Sequence, residues 1–138
     1  MATDARDQID PGRHALEAGF SRRPLIAWIQ ACAVTGLALP DVLRASHAKP
    51  WAECESDAER LDVFNGFLLT TNLDALFDRF LISFNAQGRL LLSPVLATAD
   101  LHLLGISPEL RLRWLAPEHQ SYLQFHRARM QEHSQPIQ

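Results

Sequence analysis

Apolar residues recur in this chain at more than one spacing, and the changes between spacings divide it into short elements. Leu73, Leu76, Phe77 and Phe80 follow one another at intervals of three and four, the repeat that lines one face of an α-helix, and Thr71 is placed to cap it. The run Phe67-Leu68-Leu69 just upstream is too short for a helix and reads as a buried strand. Residues 42–47 read as another strand, stopped by Lys49-Pro50, since proline has no N–H to give to a ladder. Ser56 with Glu59 three residues on has the pattern of a capping box and predicts one helical turn over 56–61.

Downstream, Asn85-Ala86-Gln87-Gly88 separates the apolar runs 81–84 and 89–92, which predicts a hairpin with a four-residue loop. Residues 98–104 predict a short helix ended by Gly105. Residues 117–133 predict a C-terminal helix, with Tyr122, Phe125 and Met130 inward and Arg127 and Arg129 outward. Residues 1–19 are polar, broken by Pro11-Gly12, and are expected to form a flexible arm. Pro24 suits the first turn of a helix whose apolar side is Leu25, Ile26, Trp28 and Ile29, and a turn over 32–36 ends that segment. The expected fold class is α+β: a helical N-terminal lead-in, two strands and a helix, a hairpin and a packed C-terminal helix. At 138 residues this is one domain by size, set at 20–138.

Composition narrows the class without naming a function. Hydrophobic content of 47% and charged content of 21% describe an ordinary folded protein. No apolar run approaches the 18 or so residues of a membrane span, and MATDARDQIDPG is not a secretory signal, so the cytoplasm is the expected location. Cys32 and Cys54 lack a CxxC spacing and read as packing residues rather than a zinc module or a disulfide. The net charge of −3 argues weakly against nucleic acid, but it is unevenly spread. Glu53, Glu55, Asp57, Glu59 and Asp62 crowd one loop, while Arg22, Arg23, Arg44 and Lys49 precede it. Twelve of the thirteen basic residues are arginine, the better bidentate ligand for phosphate.

The residues that carry chemistry lie between 44 and 84. Phosphodiester hydrolysis needs a base for water, a divalent cation to neutralise phosphate charge, and a rigid group to aim the base. His47 suits the base near neutral pH, and Asn65-Gly66 offers a rigid turn. Asp74 and Asp78, four apart on the predicted helix, fall on one face beside its apolar stripe, and oxygen ligands suit Mg²⁺ or Mn²⁺. Singly, each has a blander reading: a structural histidine, a simple turn, and solvated acids with Asp78 paired to Arg79 or Arg44. His126 reads as a packing or hydrogen-bonding histidine. The tryptophans Trp28, Trp51 and Trp114 read as core or edge residues before base-stacking groups.

The segments CAVTG, RASHAKPW, ERLDVFNGFLL, LDALFDR and LISF, in that order, resemble the HNH endonucleases. The resemblance runs from about residue 32 to 92 and extends loosely to LRWLAPEHQSYLQFHR. It implies a small ββα-metal (His-Me finger) core and a divalent-metal-dependent DNA endonuclease using one Mg²⁺ or Mn²⁺; the cysteine-ligated structural zinc that often supports the family is not expected here. It implies that His47 is the general base, that Asn65 orients it, and that Asp74, with Asp78 as in colicin-type relatives, ligates the metal. Arg44, Lys49, Arg22, Arg23 and Arg79 become the candidates for DNA contact, and a double-strand break with one site per chain would favour a homodimer. The chain departs from the pattern at Ser46, where many members carry an Asp or His ligand, and at Asp74, commonly His or Asn. It departs again at Ala48 and at Phe80, which stands where relatives have a helix-ending Gly. Two further readings follow: a catalytically impaired module of this fold that binds DNA or protein, and a helical interaction domain without nuclease ancestry.

Overall fold

The computed structural model describes residues 31–134. The arm over 1–19, the helix expected from Pro24, Arg22 and Arg23 lie outside the described residues. A 3-10 turn at Pro40–Val42 leads into β1 (Leu43–His47), which begins one residue later than the sequence suggests because Val42 belongs to that turn. After a 3-10 turn at Trp51–Glu53 and the helical turn α1 (Asp57–Leu61), the chain returns as β2 (Gly66–Thr70) and passes directly into α2 (Thr71–Asp78). Strands β1 and β2 pair antiparallel, from Leu43 opposite Thr70 to His47 opposite Gly66. A second antiparallel pair, β3 (Ile82–Phe84) with β4 (Leu90–Leu92), follows. The described residues end with α3 (Thr98–Leu104), a 3-10 turn at Pro117–His119 and α4 (Gln120–Ser134). The result is a mixed α and β architecture with two small sheets. Among the described residues no helix is long and apolar enough to cross a membrane.

The apolar pattern explains how these pieces join. Residues Gly66 to Leu69 of β2 are all buried, which is why that strand is continuously apolar rather than alternating. Helix α2 contributes Leu73, Leu76 and Phe77 to the same core. Phe77 and Leu73 have almost no exposed surface, and each contributes roughly 1.5–3 kcal/mol by burial. Ile82, Phe84 and Leu123 close the core from the second sheet and α4.

Local expectations fail where a side chain finds a different hydrogen bond. Thr71 is the first helical residue, not the cap, and its hydroxyl donates to the Val42 carbonyl at 2.9 Å. Thr70 stands at the cap position and donates its hydroxyl to Asn72 Oδ1, which itself accepts the Leu73 N–H. In α1 Ser56 does cap the Glu59 N–H, but the Glu59 carboxylate reaches back to Glu55 N–H rather than to that of Ser56. The β3–β4 connection spans five residues, 85–89, one more than expected, because the second strand begins at Leu90. Asn85 N–H donates to Arg89 and Gly88 N–H to Asn85, with Gly88 left-handed at φ 82°. A side chain there would press on Leu112 Cβ at 3.3 Å.

Phe80 does what the missing glycine would have done. Its φ is 61°, and the Leu81 N–H to Leu76 and Phe80 N–H to Phe77 bonds close α2 as a left-handed helix end. On α4, Leu123, His126 and Met130 are the buried residues, while Tyr122 and Phe125 are half-buried. Arg127 and Arg129 do not simply face outward. Arg127 donates to the Phe84 carbonyl at 2.9 Å and Arg129 pairs with Glu53, because partners on β3 and in the 51–53 turn lie within reach. His126 is fully buried, stacked on Phe77 and bonded to both Ser83 and the Phe77 carbonyl, the structural role expected. Cys32 and Cys54 are free and buried.

Candidate functional site

Strand alternation decides what each residue at the end of β1 can meet. Ser46 is buried and donates its hydroxyl to Asp74 Oδ1 on α2, 2.5 Å away. His47, the next residue, turns to the other face. Its Nε2 lies 3.2 Å from the Arg60 carbonyl oxygen, and its ring meets Trp51 edge-on with centroids 5.7 Å apart. A carbonyl only accepts, so in this contact Nε2 carries a proton and donates it.

Asn65 fixes the loop that follows His47. It is fully buried, and its Oδ1 accepts the Lys49 N–H at 2.7 Å. Its Nδ2 donates to the carbonyls of Lys49 at 3.1 Å and Glu59 at 3.2 Å, and lies 3.5 Å from Cys54 Sγ. Only a carboxamide supplies an acceptor and two donors at one point, so neither Asp nor Leu could replace it here. Gly66, directly after it, has φ 150° and pairs with His47 across the ladder.

The surrounding charge is less acidic than the sequence suggests. Glu59 pairs with Lys49 at 3.0 Å, Asp57 with Arg60, and Glu53 with Arg129. The Glu55 N–H, and after it the Lys49 ammonium, hold the Glu59 carboxyl below its usual range; the same bond to Glu59 raises Lys49. Asp62 accepts from the Tyr122 hydroxyl at 2.7 Å and the Phe64 N–H. Burial, with Asp62 beside it, pushes the Tyr122 phenol well up. Lys49 is therefore engaged, whereas Arg44 and Arg79 are exposed.

Asp74 is half-buried and Asp78 exposed, and no ion pair links Asp78 to Arg79 or Arg44 among the described residues. No three His, Cys, Asp or Glu side chains gather as a metal cluster among the described residues. The donors brought together are oxygens, Ser46 and Asp74, with Asp78 one helical turn further. That set is hard and sparse. It fits a cation held by one or two carboxylates and retaining its waters, not an all-protein cage. Reasoning from sequence missed Ser46 as the partner of Asp74, Arg60 as the acceptor for His47, and Cys54 at the Asn65 amide. The alternation of side chains expected of any strand over 42–47 was the one available signal, since it separates position 46 from position 47.

A model of the HNH endonuclease family matches residues 32–85, from the turn before β1 to the end of β3. Over those residues the chain is similar to the HNH endonucleases. The matched segment contains His47, Asn65, Asp74 and Asp78 together. None of the curated proteins matches the chain.

Proposed function

We propose that this chain is a divalent-metal-dependent DNA endonuclease with His47 as general base. The observation that carries the reading is the placement of two unlike faces at one strand end. Ser46 and Asp74 lie on one side, and His47, tethered through Nε2, lies on the other.

In this mechanism the His47 imidazole takes the proton of the attacking water. The Arg60 carbonyl, already accepting from Nε2, favours the positive ring that results. Asn65 keeps that geometry by fixing the loop at Lys49 and Glu59. Asp74 and Asp78, with the Ser46 hydroxyl, are the groups that would hold Mg²⁺ or Mn²⁺. When bound, such an ion neutralises charge on the scissile phosphate and the leaving oxygen. Arg44 and Arg79 are exposed where they can contact flanking phosphates, and two copies would serve a double-strand break.

The test is plasmid nicking in Mg²⁺ or Mn²⁺. His47→Ala should slow it by about 10²–10⁴-fold, and equal rates for the purified variant and parent would end this assignment. A second reading, a binding module of the same fold without cleavage, is favoured by the Ser46 hydroxyl already donating to Asp74. Calorimetry separates the two: no uptake of Mn²⁺ with DNA present supports the module.

A further inference from the structure

Trp51 is the one aromatic among the exposed large apolar side chains of the described residues, with 55% of its surface open. An indole carries one of the largest apolar areas of any side chain, and more than half of this one is open. It is held in place from behind. The Arg60 guanidinium lies over the ring at 5.7 Å, donates through Nε to the Trp51 carbonyl and through Nη2 to that of Cys54, and pairs with Asp57. Arg60 also supplies the carbonyl that tethers His47. One residue thus fixes the base and the indole side by side, 5.7 Å between ring centroids.

The electrostatics suit a neutral group beside Trp51. Glu53, Asp57 and Glu59 around it are each paired with a cation of the protein itself. A nucleobase has a neutral π-face that stacks on aromatic rings whatever its identity. Within an intact duplex both faces of a base are covered, so a base reaches a protein ring only when it is unpaired or turned out.

We propose that Trp51 is a stacking platform for one nucleobase of the strand whose phosphate lies at His47. The favoured substrate is therefore single-stranded or locally opened DNA rather than intact duplex. This rests on the DNA-cleaving reading above, and it assigns that site its substrate class.

The test uses the full chain in EDTA, so that binding is read without cleavage, by anisotropy of labelled strands. The probes are a short oligothymidylate, the same strand built from abasic residues, and a duplex. Trp51→Ala should weaken oligothymidylate binding by about 10-fold or more, the scale of one lost stacking contact, and leave the abasic strand unchanged. Trp51→Phe should restore most of the affinity, and oligothymidylate should quench indole fluorescence in the parent and less in that variant. Equal oligothymidylate affinity for Trp51→Ala and parent would overturn the platform, as would an equal loss on the abasic strand. A parent that shows the expected pattern yet never cleaves with Mg²⁺ or Mn²⁺ leaves the platform standing and removes only the nuclease reading. A parent that binds none of the three probes removes both.

Discussion

Two polar side chains without exposed surface, Asn65 and His126, each clasp separate backbone segments, and they do so by different chemistry. Asn65 ties the loop after His47 at Lys49 and Glu59, beside the proposed chemistry, through an amide that does not titrate. His126 ties the carbonyl of Phe77, near the end of α2, to Ser83 on β3, with its ring stacked 3.7 Å from Phe77. Burial, aided by the charge of Arg127, pushes its pKa down to about 4, although the Phe77 carbonyl pulls the other way. The first clasp holds a polar loop against a strand end. The second joins elements of the apolar core. Depth of burial alone does not tell a site residue from a core residue; what it holds does.

Removing the Asn65 amide should have the largest effect. Asn65→Ala deletes three hydrogen bonds to backbone groups, worth about 1 kcal/mol each, with more lost if those groups stay dry. A fall of roughly 3–4 kcal/mol in urea unfolding is expected, together with loss of nicking under conditions where the variant is still folded. Asn65→Asp keeps the acceptor, loses the donors and should fail nearly as badly. An Asn65→Ala variant that unfolds at the parent's midpoint and nicks at the parent's rate would erase the distinction between the two clasps.

Acid should open the other clasp first. The ring of His126 has a folded-state pKa of about 4 against an ordinary value of 6.5. Below that ordinary value the unfolded chain binds a proton that the folded one refuses. The stability held by the neutral ring is thus fully present above about pH 6.5 and is lost progressively as pH falls towards 4. The span is about 3 kcal/mol. Urea midpoints between pH 7 and 4.5 should fall steeply in the parent and less steeply in His126→Gln. Amide exchange over the same range should speed up around Phe77 and Ser83 before it does around Lys49 and Asn65. Equal slopes for parent and variant would show that this histidine is not the acid-sensitive element.

The contrast also marks what the sequence could tell. The partners of Asn65 lie within sixteen residues of it, and the spacing His47, Asn65, Asp74 carried its own pattern. The α2 stripe, the short β2 run and the Gly105 helix end were legible because each rests on periodicity or local backbone chemistry. His126 was legible as structural, but not its partners, 43 and 49 residues away, which only the packing of α4 on β3 brings near. Ser46 read as a gap in a ligand set, since no local rule ties it to a carboxylate 28 residues on. Arg127 and Arg129 read as outward because helix spacing registers neither the Phe84 carbonyl nor Glu53. Thr71 read as a cap because sequence does not show that Asn72 competes for the first turn.

The smallest effect tests the core clasp from its edge, at Phe80. That residue sits at φ 61°, buried, with its ring 4.8 Å from His126 and stacked 4.9 Å from His133. A left-handed backbone costs a side-chain-bearing residue about 1–2 kcal/mol, which the ring contacts must offset. Phe80→Ala removes the contacts and keeps the strain; Phe80→Gly removes both. Both variants should be less stable than the parent, yet the glycine variant should exceed the alanine variant by about 1 kcal/mol, against the usual order in which glycine is the weaker residue. The two midpoints in one urea series decide it. If alanine proves the more stable, the helix end relaxes out of its left-handed form when the ring is gone, and the ring alone holds Phe80 in that conformation.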